Sequence, residues 1–258
     1  MTRKTLIIGH RGASRDAPEN TLASFQLAFQ QGADGIEADF QLTADGEIVC
    51  LHDESTGRTA GVDLRVDQAS CRDLLGLEVG SWKGETWCGA RIPTLAQVLE
   101  ALPADKRIFI ELKSGPRIIP RLEEILAAAA VQPERIRLLC FSAEVIRTLK
   151  ESLPAYRACW LTDYRWRVTW HPSQQEVLDT LLSCRADGLA SRSRAILEPS
   201  FVAALRQQSQ EIHVWTVDSA PEARRLAALG VDSLMTNRPG WIGRSLPRQE
   251  PAGTEVIS

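Results

Sequence analysis

The chain has 258 residues, with 30 lysine and arginine residues against 33 aspartate and glutamate residues, giving a formal net charge of −3. It contains no basic run, so the electrostatic signature of a nucleic-acid-binding protein is absent. No apolar stretch approaches the roughly 18 residues of a membrane-spanning helix, and the run at 5–9 is too short for a signal peptide, so we expect a cytoplasmic location. The six cysteines are scattered without a C-x-x-C pair, and reduced thiols are expected.

Short β-rich runs alternate with helix-like segments along the chain. The predicted strands cover residues 5–9, 35–41, 108–112, 136–140, 156–161, 186–189, 212–216 and 233–235. The predicted helices cover residues 21–31, 94–101, 121–130, 143–151, 174–183, 200–208, 221–229 and 238–245. Strict alternation predicts parallel strands, and eight such pairs indicate a (β/α)8 TIM barrel of the α/β class. An open doubly wound sheet is the alternative, although no G-x-G-x-x-G motif follows the first strand.

Two segments depart from the alternation. The Asp-Gly pair at 45–46 lies between two β-rich runs and predicts a hairpin, and a two-residue loop would place Asp39 opposite His52. Residues 53–93 are rich in glycine and lack periodicity, which indicates a small insertion over one end of the barrel. The expected organisation is a single barrel domain over 1–246, followed by a disordered tail over 247–258.

Several polar residues fall where the predicted strands end, the face that carries the active site in TIM barrels. They are His10, Arg11, Glu37, Asp39, His52, Glu111 and Lys113. Three facing carboxylates repel one another and need a cation, and oxygen ligands without a cysteine cluster favour Mg²⁺ or Ca²⁺ over zinc. The two histidines can supply a base and an acid near neutral pH, while Arg11 and Lys113 can bind phosphoryl charge. The set predicts a metal-assisted phosphodiesterase site.

Other residues have structural and functional interpretations. The Pro-Glu-Asn-Thr stretch at 18–21 predicts a helix start with its asparagine or threonine as N-cap, or else its glutamate or asparagine orders the site. The aromatic-rich loop 160–170 predicts core or lid packing, or else a wall of the substrate pocket. Trp215 ends the seventh predicted strand and therefore faces the pocket. His171 and His213 have no neighbours that would recruit them to a site, and we assign them to structure.

At these residues the chain resembles the glycerophosphodiester phosphodiesterase family, in particular its compact cytoplasmic bacterial members. The matching motifs are His10-Arg11-Gly12, Pro18-Glu19-Asn20-Thr21, Glu37-Ala38-Asp39, Thr43-Ala44-Asp45-Gly46, His52-Asp53, Ile92-Pro93-Thr94-Leu95, Glu111-Leu112-Lys113, Val214-Trp215-Thr216-Val217 and Thr236-Asn237-Arg238-Pro239. They occur in order over nearly the whole chain. The resemblance implies a TIM barrel in which the segment from 53 to about 93 is the insertion characteristic of the family.

The resemblance also implies roles for individual residues. Glu37, Asp39 and Glu111 would bind one divalent cation, Mg²⁺ or Ca²⁺; His10 and His52 would form the acid–base pair; Arg11, Lys113 and Trp215 would contact the substrate. Two positions depart from the family pattern, since Asp218 replaces a common asparagine and Asn237 replaces a frequent aspartate. Neither is expected to touch the metal ligands, so they bear on substrate preference more than on catalysis.

The implied reaction is hydrolysis of small glycerophosphodiesters, such as glycerophosphocholine, to sn-glycerol 3-phosphate and an alcohol. No nucleic-acid partner or membrane span is expected, and a homodimer is one expectation for the assembly. A lysophospholipase D acting on lysophospholipids is the closest alternative. The Glu-Leu-Lys and Trp-Thr-Val elements argue against a phospholipase C-type barrel. A non-catalytic phosphodiester-binding barrel would be expected to lack a ligand or a histidine, and here all are present.

Overall fold

Eight parallel strands close into a barrel in the computed structural model, which describes residues 5–247. Closure follows because β1 pairs with both the second and the last barrel strand. In order around the barrel these strands are β1 (Leu6–His10), β2 (Gly35–Leu42), β4 (Arg107–Leu112), β5 (Ile136–Cys140), β6 (Arg157–Thr162), β9 (Gly188–Arg192), β10 (Glu211–Trp215) and β11 (Ser233–Thr236). Three short strands lie outside the barrel: β3 (Ile48–Cys50), β7 (Arg165–Trp166) and β8 (Trp170–His171). The TIM-barrel prediction is confirmed, and the open sheet is excluded.

Helices follow the barrel strands and cover the outside of the barrel. Within the described residues they are α1 (Leu22–Gln30), α2 (Gly57–Ala60), α3 (Cys71–Leu75), α4 (Leu95–Glu100), α5 (Ile119–Ala128), α6 (Ala143–Ser152), α7 (Gln174–Cys184), α8 (Pro199–Gln207), α9 (Ala220–Ala228) and α10 (Pro239–Ser245). Local sequence sets several of their starts. Thr94 and Ser173 form capping boxes that begin α4 and α7, and proline stands in the first turn of α8, α9 and α10. No helix between residues 5 and 247 has the length and apolar character needed to cross a bilayer.

The strands are buried on both faces, as expected when one face fills the barrel and the other packs against helices. Large apolar side chains fill the interior: Ile8, Phe109, Leu139, Cys159, Leu161, Ala190 and Met235. A larger apolar cluster occupies the space between the strands and the helices. This packing holds the strand ends, and therefore the side chains they carry, in a fixed arrangement.

The hairpin formed by β2 and β3 has a register that differs by one residue from the predicted one. Its loop contains three residues, 44–46, with a positive φ of +83° at Gly46 but not at Asp45, whereas the two-residue type I′ loop needs a positive φ at both. Leu51 N donates to Asp39 O at 3.0 Å, so Leu51, and not His52, lies opposite Asp39. The predicted pairing is therefore wrong. His52 nevertheless reaches the same region, because β3 ends two residues earlier and the chain turns there.

Residues 53–93, the predicted insertion, contain α2, α3 and three short 3₁₀ turns that the sequence did not predict. The segment packs against the hairpin around a small apolar core: Val49, Leu51, Val66, Cys71, Leu74, Val79 and Ile92. Lys83 Nζ donates to Ser14 O at 2.7 Å, which ties the insertion to the loop after β1. The domain boundaries of 1–246 remain a prediction, and the predicted tail lies outside the described residues except for Pro247.

A buried ionic network fills the opposite end of the barrel. Arg137 of β5 binds Glu211 of β10 through two contacts of 2.6 and 3.0 Å across the interior. Glu211 also accepts from His213 at 3.2 Å and pairs with Arg157 at 3.1 Å. Burial alone would raise the pKa of Glu211, but these hydrogen bonds and charges hold it below its usual range. Cys159, Glu211 and His213 lie close enough to suggest a metal site, yet two arginines already neutralise the carboxylate, so the network is structural.

Candidate active site

One cavity of about 430 Å³ opens at the carboxyl ends of the barrel strands. Among the residues that line it are seven of the eight predicted site residues: His10, Arg11, Glu37, His52, Glu111, Lys113 and Trp215. The eighth, Asp39, is almost fully buried beside them. The structure therefore brings together side chains from β1, β2, β4 and β10 and from the turn after β3.

Three carboxylates lie together at one side of the cavity, two of them in its lining and Asp39 buried beside them. Glu37, Asp39 and Glu111 each offer an oxygen atom within 4.8 Å of the others. Adjacent strands hold them together, since Asp39 of β2 is in register with Glu111 of β4. Glu37 Oε1 is buried without a hydrogen-bond partner among the described residues, and a buried acceptor of this kind suits coordination of a cation.

The electrostatics of this cluster favour a cation. Burial and then the charges of Asp39 and Glu111 raise the pKa of Glu37 well above its usual value. Burial likewise raises the pKa of Glu111. Burial would raise the pKa of Asp39 as well, but Lys113 and Arg11 outweigh it and hold that pKa below the usual range. Oxygen donors without a nearby thiolate suit a hard ion, so the acidic cluster can hold a divalent cation.

Two cationic side chains border the carboxylates. Lys113 Nζ donates to Asp39 Oδ1 at 3.1 Å and to Glu111 Oε1 at 2.8 Å. Arg11 Nε lies 3.1 Å from Asp39 Oδ2 as an ion pair, and the Arg11 backbone N–H donates to Glu37 Oε2 at 3.1 Å. The turn that directs Arg11 inward requires Gly12, because its φ is +83° and a Cβ there would lie 2.6 Å from the backbone of Ser24. Positive charge thus surrounds the place where an anionic substrate would meet the carboxylates.

His10 is held by an asparagine from the last barrel strand's end. Its Nδ1 lies 2.8 Å from Asn237 Oδ1, while Asn237 Nδ2 donates to Asp218 Oδ2 at 2.6 Å. The amide therefore presents its oxygen to the ring, so Nδ1 carries the hydrogen and the lone pair is on Nε2, which lies 3.9 Å from Glu37 Oε2. Burial, followed by the charge of Arg11, lowers the pKa of His10 to about 4. The departures from the family pattern are thus connected to His10, Asn237 by direct contact and Asp218 through Asn237, which the sequence did not indicate.

A chain of charged side chains connects His52 to Arg11. His52 Nδ1 contacts Asp53 Oδ1 at 2.7 Å, and Arg58 Nε donates to Asp53 Oδ2 at 2.5 Å. The same guanidinium donates to both oxygens of Glu19 at 3.0 and 2.8 Å. Glu19 in turn accepts from Arg11 Nη1 at 3.0 Å. The sequence did not single out Arg58, because it lies on the short helix α2 of the aperiodic insertion.

Two amide side chains order the site from below. Gln41 Nε2 donates to Leu51 O at 2.8 Å and to Asp53 O at 2.6 Å, the carbonyls on either side of His52. Asn20 Nδ2 donates to Asp39 Oδ2 at 2.9 Å, and Asn20 Oδ1 accepts from the backbone N–H of Asp39 at 3.2 Å. The stretch 18–21 thus has both of its predicted roles, since its threonine caps α1 and its glutamate and asparagine order the site. Gln41 continues the two-residue spacing of Glu37 and Asp39, a signal that the sequence did contain.

The other half of the cavity is lined by apolar side chains, namely Leu139, Phe141, Leu161 and Met235. Trp215 Nε1 donates to Ala190 O at 2.9 Å, and the ring lies 5.0 Å from the guanidinium of Arg192. Asp163 also lines the cavity on this side, and its Oδ2 lies 3.8 Å from Nη1 of Arg192. Trp160, Trp166 and Trp170 do not line the cavity.

Residues 10–241, and with them every predicted site residue, match the model of the glycerophosphoryl diester phosphodiesterase family. The chain belongs to this family. A glycerophosphodiester phosphodiesterase of Caldanaerobacter subterraneus subsp. tengcongensis is 34% identical to it over 92% of this chain and 95% of that protein.

Solved structures similar to this chain share the fold. One is a phosphodiesterase of Oleispira antarctica in complex with the product sn-glycerol-3-phosphate; it is 25% identical, with a TM-score of 0.83 over 93% of this chain and 96% of that chain. Another is a glycerophosphodiester phosphodiesterase of Agrobacterium tumefaciens, 28% identical, with a TM-score of 0.77 over 93% of this chain and all of that chain. Barrel architecture and family membership therefore agree.

Proposed function

We propose that the chain hydrolyses glycerophosphodiesters to sn-glycerol 3-phosphate and an alcohol. The observation that carries the proposal is the convergence of three carboxylates, two histidines and two cationic side chains on one cavity of a barrel that belongs to this family. A family member with a TM-score of 0.83 was solved with sn-glycerol-3-phosphate as its product, which supports the same substrate class.

Glu37, Asp39 and Glu111 would hold one Mg²⁺ or Ca²⁺ ion, the hard cations that bind carboxylate oxygens. When bound, the cation supplies charge neutralisation at the phosphate and favours deprotonation of an oxygen nucleophile. Arg11 and Lys113 lie beside these carboxylates and bind the non-bridging oxygens of the phosphate, where they offset the charge that develops during displacement.

The two histidines divide the proton transfers according to their partners. His10 presents the lone pair of Nε2, since Asn237 occupies Nδ1, and a pKa of about 4 keeps the ring neutral at physiological pH. It therefore acts as the general base and accepts the proton of the attacking oxygen. His52 rests against the carboxylate of Asp53 at 2.7 Å, which compensates a positive charge on the ring. It donates its proton to the leaving alkoxide.

The remaining wall would receive the organic parts of the substrate. Trp215, together with Phe141 and Leu139, forms an apolar surface beside the cationic pair. Apolar contact there orients the glycerol carbons or the alcohol group without adding charge.

The decisive assay measures sn-glycerol 3-phosphate and choline released from glycerophosphocholine, with Mg²⁺, with Ca²⁺ and with EDTA. We expect metal-dependent release of both products. His52→Ala should lower kcat by at least about 100-fold, the effect of losing a general acid. A parallel reaction with lysophosphatidylcholine distinguishes the proposed activity from the alternative, a lysophospholipase D. Absence of metal-dependent turnover of either substrate would exclude the proposed activity, and turnover of the lysolipid alone would replace it.

Three further properties complete the proposal. Residues 1–246 act as one catalytic domain, with the insertion 53–93 as part of the site. A cytoplasmic location is consistent with six free cysteines, five of them buried. Homodimer formation is tested separately by light scattering on the purified protein.

A further inference from the structure

A small hairpin stands at the same end of the barrel as the cavity. It follows the carboxyl end of β6 and consists of β7 and β8, in which Trp166 lies opposite Trp170. Arg167 N donates to Thr169 O at 3.1 Å and closes the turn, so Val168 is at the tip. None of these residues lines the cavity, and the proposed reaction does not use them.

One side of the hairpin is anchored to the barrel. Trp170 packs against the main apolar cluster, and its ring lies 6.4 Å from that of Tyr164. Tyr164 in turn bonds through its hydroxyl to Ser191 Oγ at 3.1 Å. Trp166 packs edge-on against Trp170 at 5.1 Å and is otherwise directed outward. The hairpin is thus a fixed platform that presents its tip to solvent.

The tip exposes large apolar side chains. Val168 is 88% exposed and Trp166 is 62% exposed, the two highest values among the exposed large apolar residues in the described part of the chain. Phe141, at the end of β5 on the same rim, is 48% exposed. Scattered single apolar residues need no explanation, but several around one active-site mouth mark an interaction surface.

The same rim is positively charged although the whole chain carries −3. Arg165 and Arg167 flank Trp166 and are exposed. Arg192 and Arg194 lie 3.8 and 3.7 Å from the oxygens of a single carboxylate, that of Asp163. Two exposed guanidinium groups thus lie on the hairpin itself and two more lie near Asp163, while a second acidic group, Glu176, interacts with His171 of β8. Arginine beside exposed tryptophan and an aliphatic tip is the composition of segments that bind the interface of anionic membranes.

We propose that the β7–β8 hairpin docks the catalytic face on an anionic lipid surface. Trp166 and Val168 enter the interfacial region, and Arg165 and Arg167 contact lipid phosphates. A single-stranded nucleic acid fits less well, because base stacking needs an open aromatic face, whereas Trp170 packs against Trp166 and Val168 offers no stacking surface. The inference goes beyond the proposed reaction and does not depend on it.

The test is sedimentation of the full-length protein with vesicles, in EDTA and without substrate. Vesicles of phosphatidylcholine are compared with vesicles that contain phosphatidylglycerol. We expect binding to the anionic vesicles only. Arg165→Gln with Arg167→Gln should weaken this binding by about 30-fold, since each arginine near an anionic surface contributes about fivefold. Trp166→Ser with Val168→Ser should weaken it by at least about tenfold through lost apolar burial.

The matched control places the same chemistry at the other end of the barrel. Leu182 of α7 is 59% exposed and Arg185 directly follows that helix, so Leu182→Ser with Arg185→Gln should bind vesicles like the wild type. All variants should keep the wild-type Tm and the wild-type turnover of glycerophosphocholine. Equal binding to neutral and anionic vesicles, no binding to either, or hairpin variants that bind like the control would overturn the proposal. Binding to single-stranded RNA in place of vesicles would assign the surface to a nucleic acid.

Discussion

Arg58 should matter for catalysis far more than for stability. Its guanidinium makes three contacts, one with Asp53 at 2.5 Å and two with Glu19 at 3.0 and 2.8 Å. Asp53 supports His52 and Glu19 supports Arg11. Removing the guanidinium therefore leaves Asp53, the contact of the proposed general acid, and Glu19, one of two acidic partners of the proposed phosphate ligand Arg11, without their shared support.

The two effects of Arg58→Gln can be sized from its surroundings. Its side chain is 44% exposed, and exposed ion pairs contribute about 0–1 kcal/mol, so the free energy of unfolding should fall by no more than about 1 kcal/mol. A displacement of a catalytic group by about 1 Å can cost on the order of 100-fold in rate. We therefore expect kcat to fall about 10- to 100-fold. Arg58→Lys keeps the charge but loses the planar fork and should be intermediate.

Arg65 provides the matched control. It lies in the same insertion, is 48% exposed, and pairs with Glu54 and Asp67, which contact no proposed catalytic residue. The assay is kcat and KM for glycerophosphocholine at saturating Mg²⁺, with urea unfolding of each variant. If the kcat of Arg58→Gln lies within about twofold of the kcat of Arg65→Gln, the network does not position the site. If Arg58→Gln instead loses more than about 3 kcal/mol of stability, its contacts cannot be treated as surface ion pairs.

Three other predictions concern charge at the site and in the core. Asn237→Asp combined with Asp218→Asn places a carboxylate about 2.8 Å from His10 Nδ1 and turns the residue that now accepts from Asn237 into an amide, so that two carboxylates do not face each other. The new charge stabilises the imidazolium and raises its pKa above about 4. The acidic limb of the kcat/KM profile should move to higher pH, and an unchanged limb would exclude His10 as the base. Burial and neighbouring carboxylates raise the pKa of Glu37 above its usual 4.5, so protein in EDTA should lose stability as the pH rises from 4.5 toward that raised value. Glu37→Gln should remove the part of that loss that Glu37 causes, leaving the part from Glu111, whose pKa is also raised. It should also abolish the increase in Tm on adding Mg²⁺, as measured by thermal unfolding. Glu211→Ala leaves Arg137 buried without the carboxylate that pairs with it. The free energy of unfolding measured in urea should fall by about 3–5 kcal/mol, while the kcat of the folded protein stays unchanged. An unaltered midpoint of the urea unfolding curve would show that the network does not stabilise the barrel.

Much of the site could be predicted from the chain because its residues obey two simple rules. Side chains two apart on a strand share a face, which groups Glu37 with Asp39, and the carboxyl ends of barrel strands meet on one side. Those rules place Glu111 beside Asp39 once the strands are in register, as they are. They do not give the register of a hairpin, which here shifts by one residue because Asp45 does not adopt the positive φ that a two-residue loop requires.

Contacts that depend on barrel closure or on irregular segments could not be predicted. Asn237 is 227 residues from His10, and only the pairing of β1 with β11 brings them together. Arg58 lies in a segment without periodicity, so no pattern indicated where its side chain would point. Each strand of the β7–β8 hairpin is only two residues long, which is too short to show an alternation of apolar and polar residues in the sequence.

The pairing of three carboxylates with two cationic side chains has a consequence for the order of binding events. When all five are ionised, Glu37, Asp39 and Glu111 contribute three negative charges against the two positive charges of Arg11 and Lys113, a sum of −1. One divalent cation would change that sum to +1, and a phosphodiester monoanion would then bring it to zero. With this charge count, binding of the cation would strengthen the attraction of the site for its substrate. Hydrolysis yields a phosphomonoester with a charge of about −1.5 to −2 near neutral pH, which makes the sum negative again and favours product release.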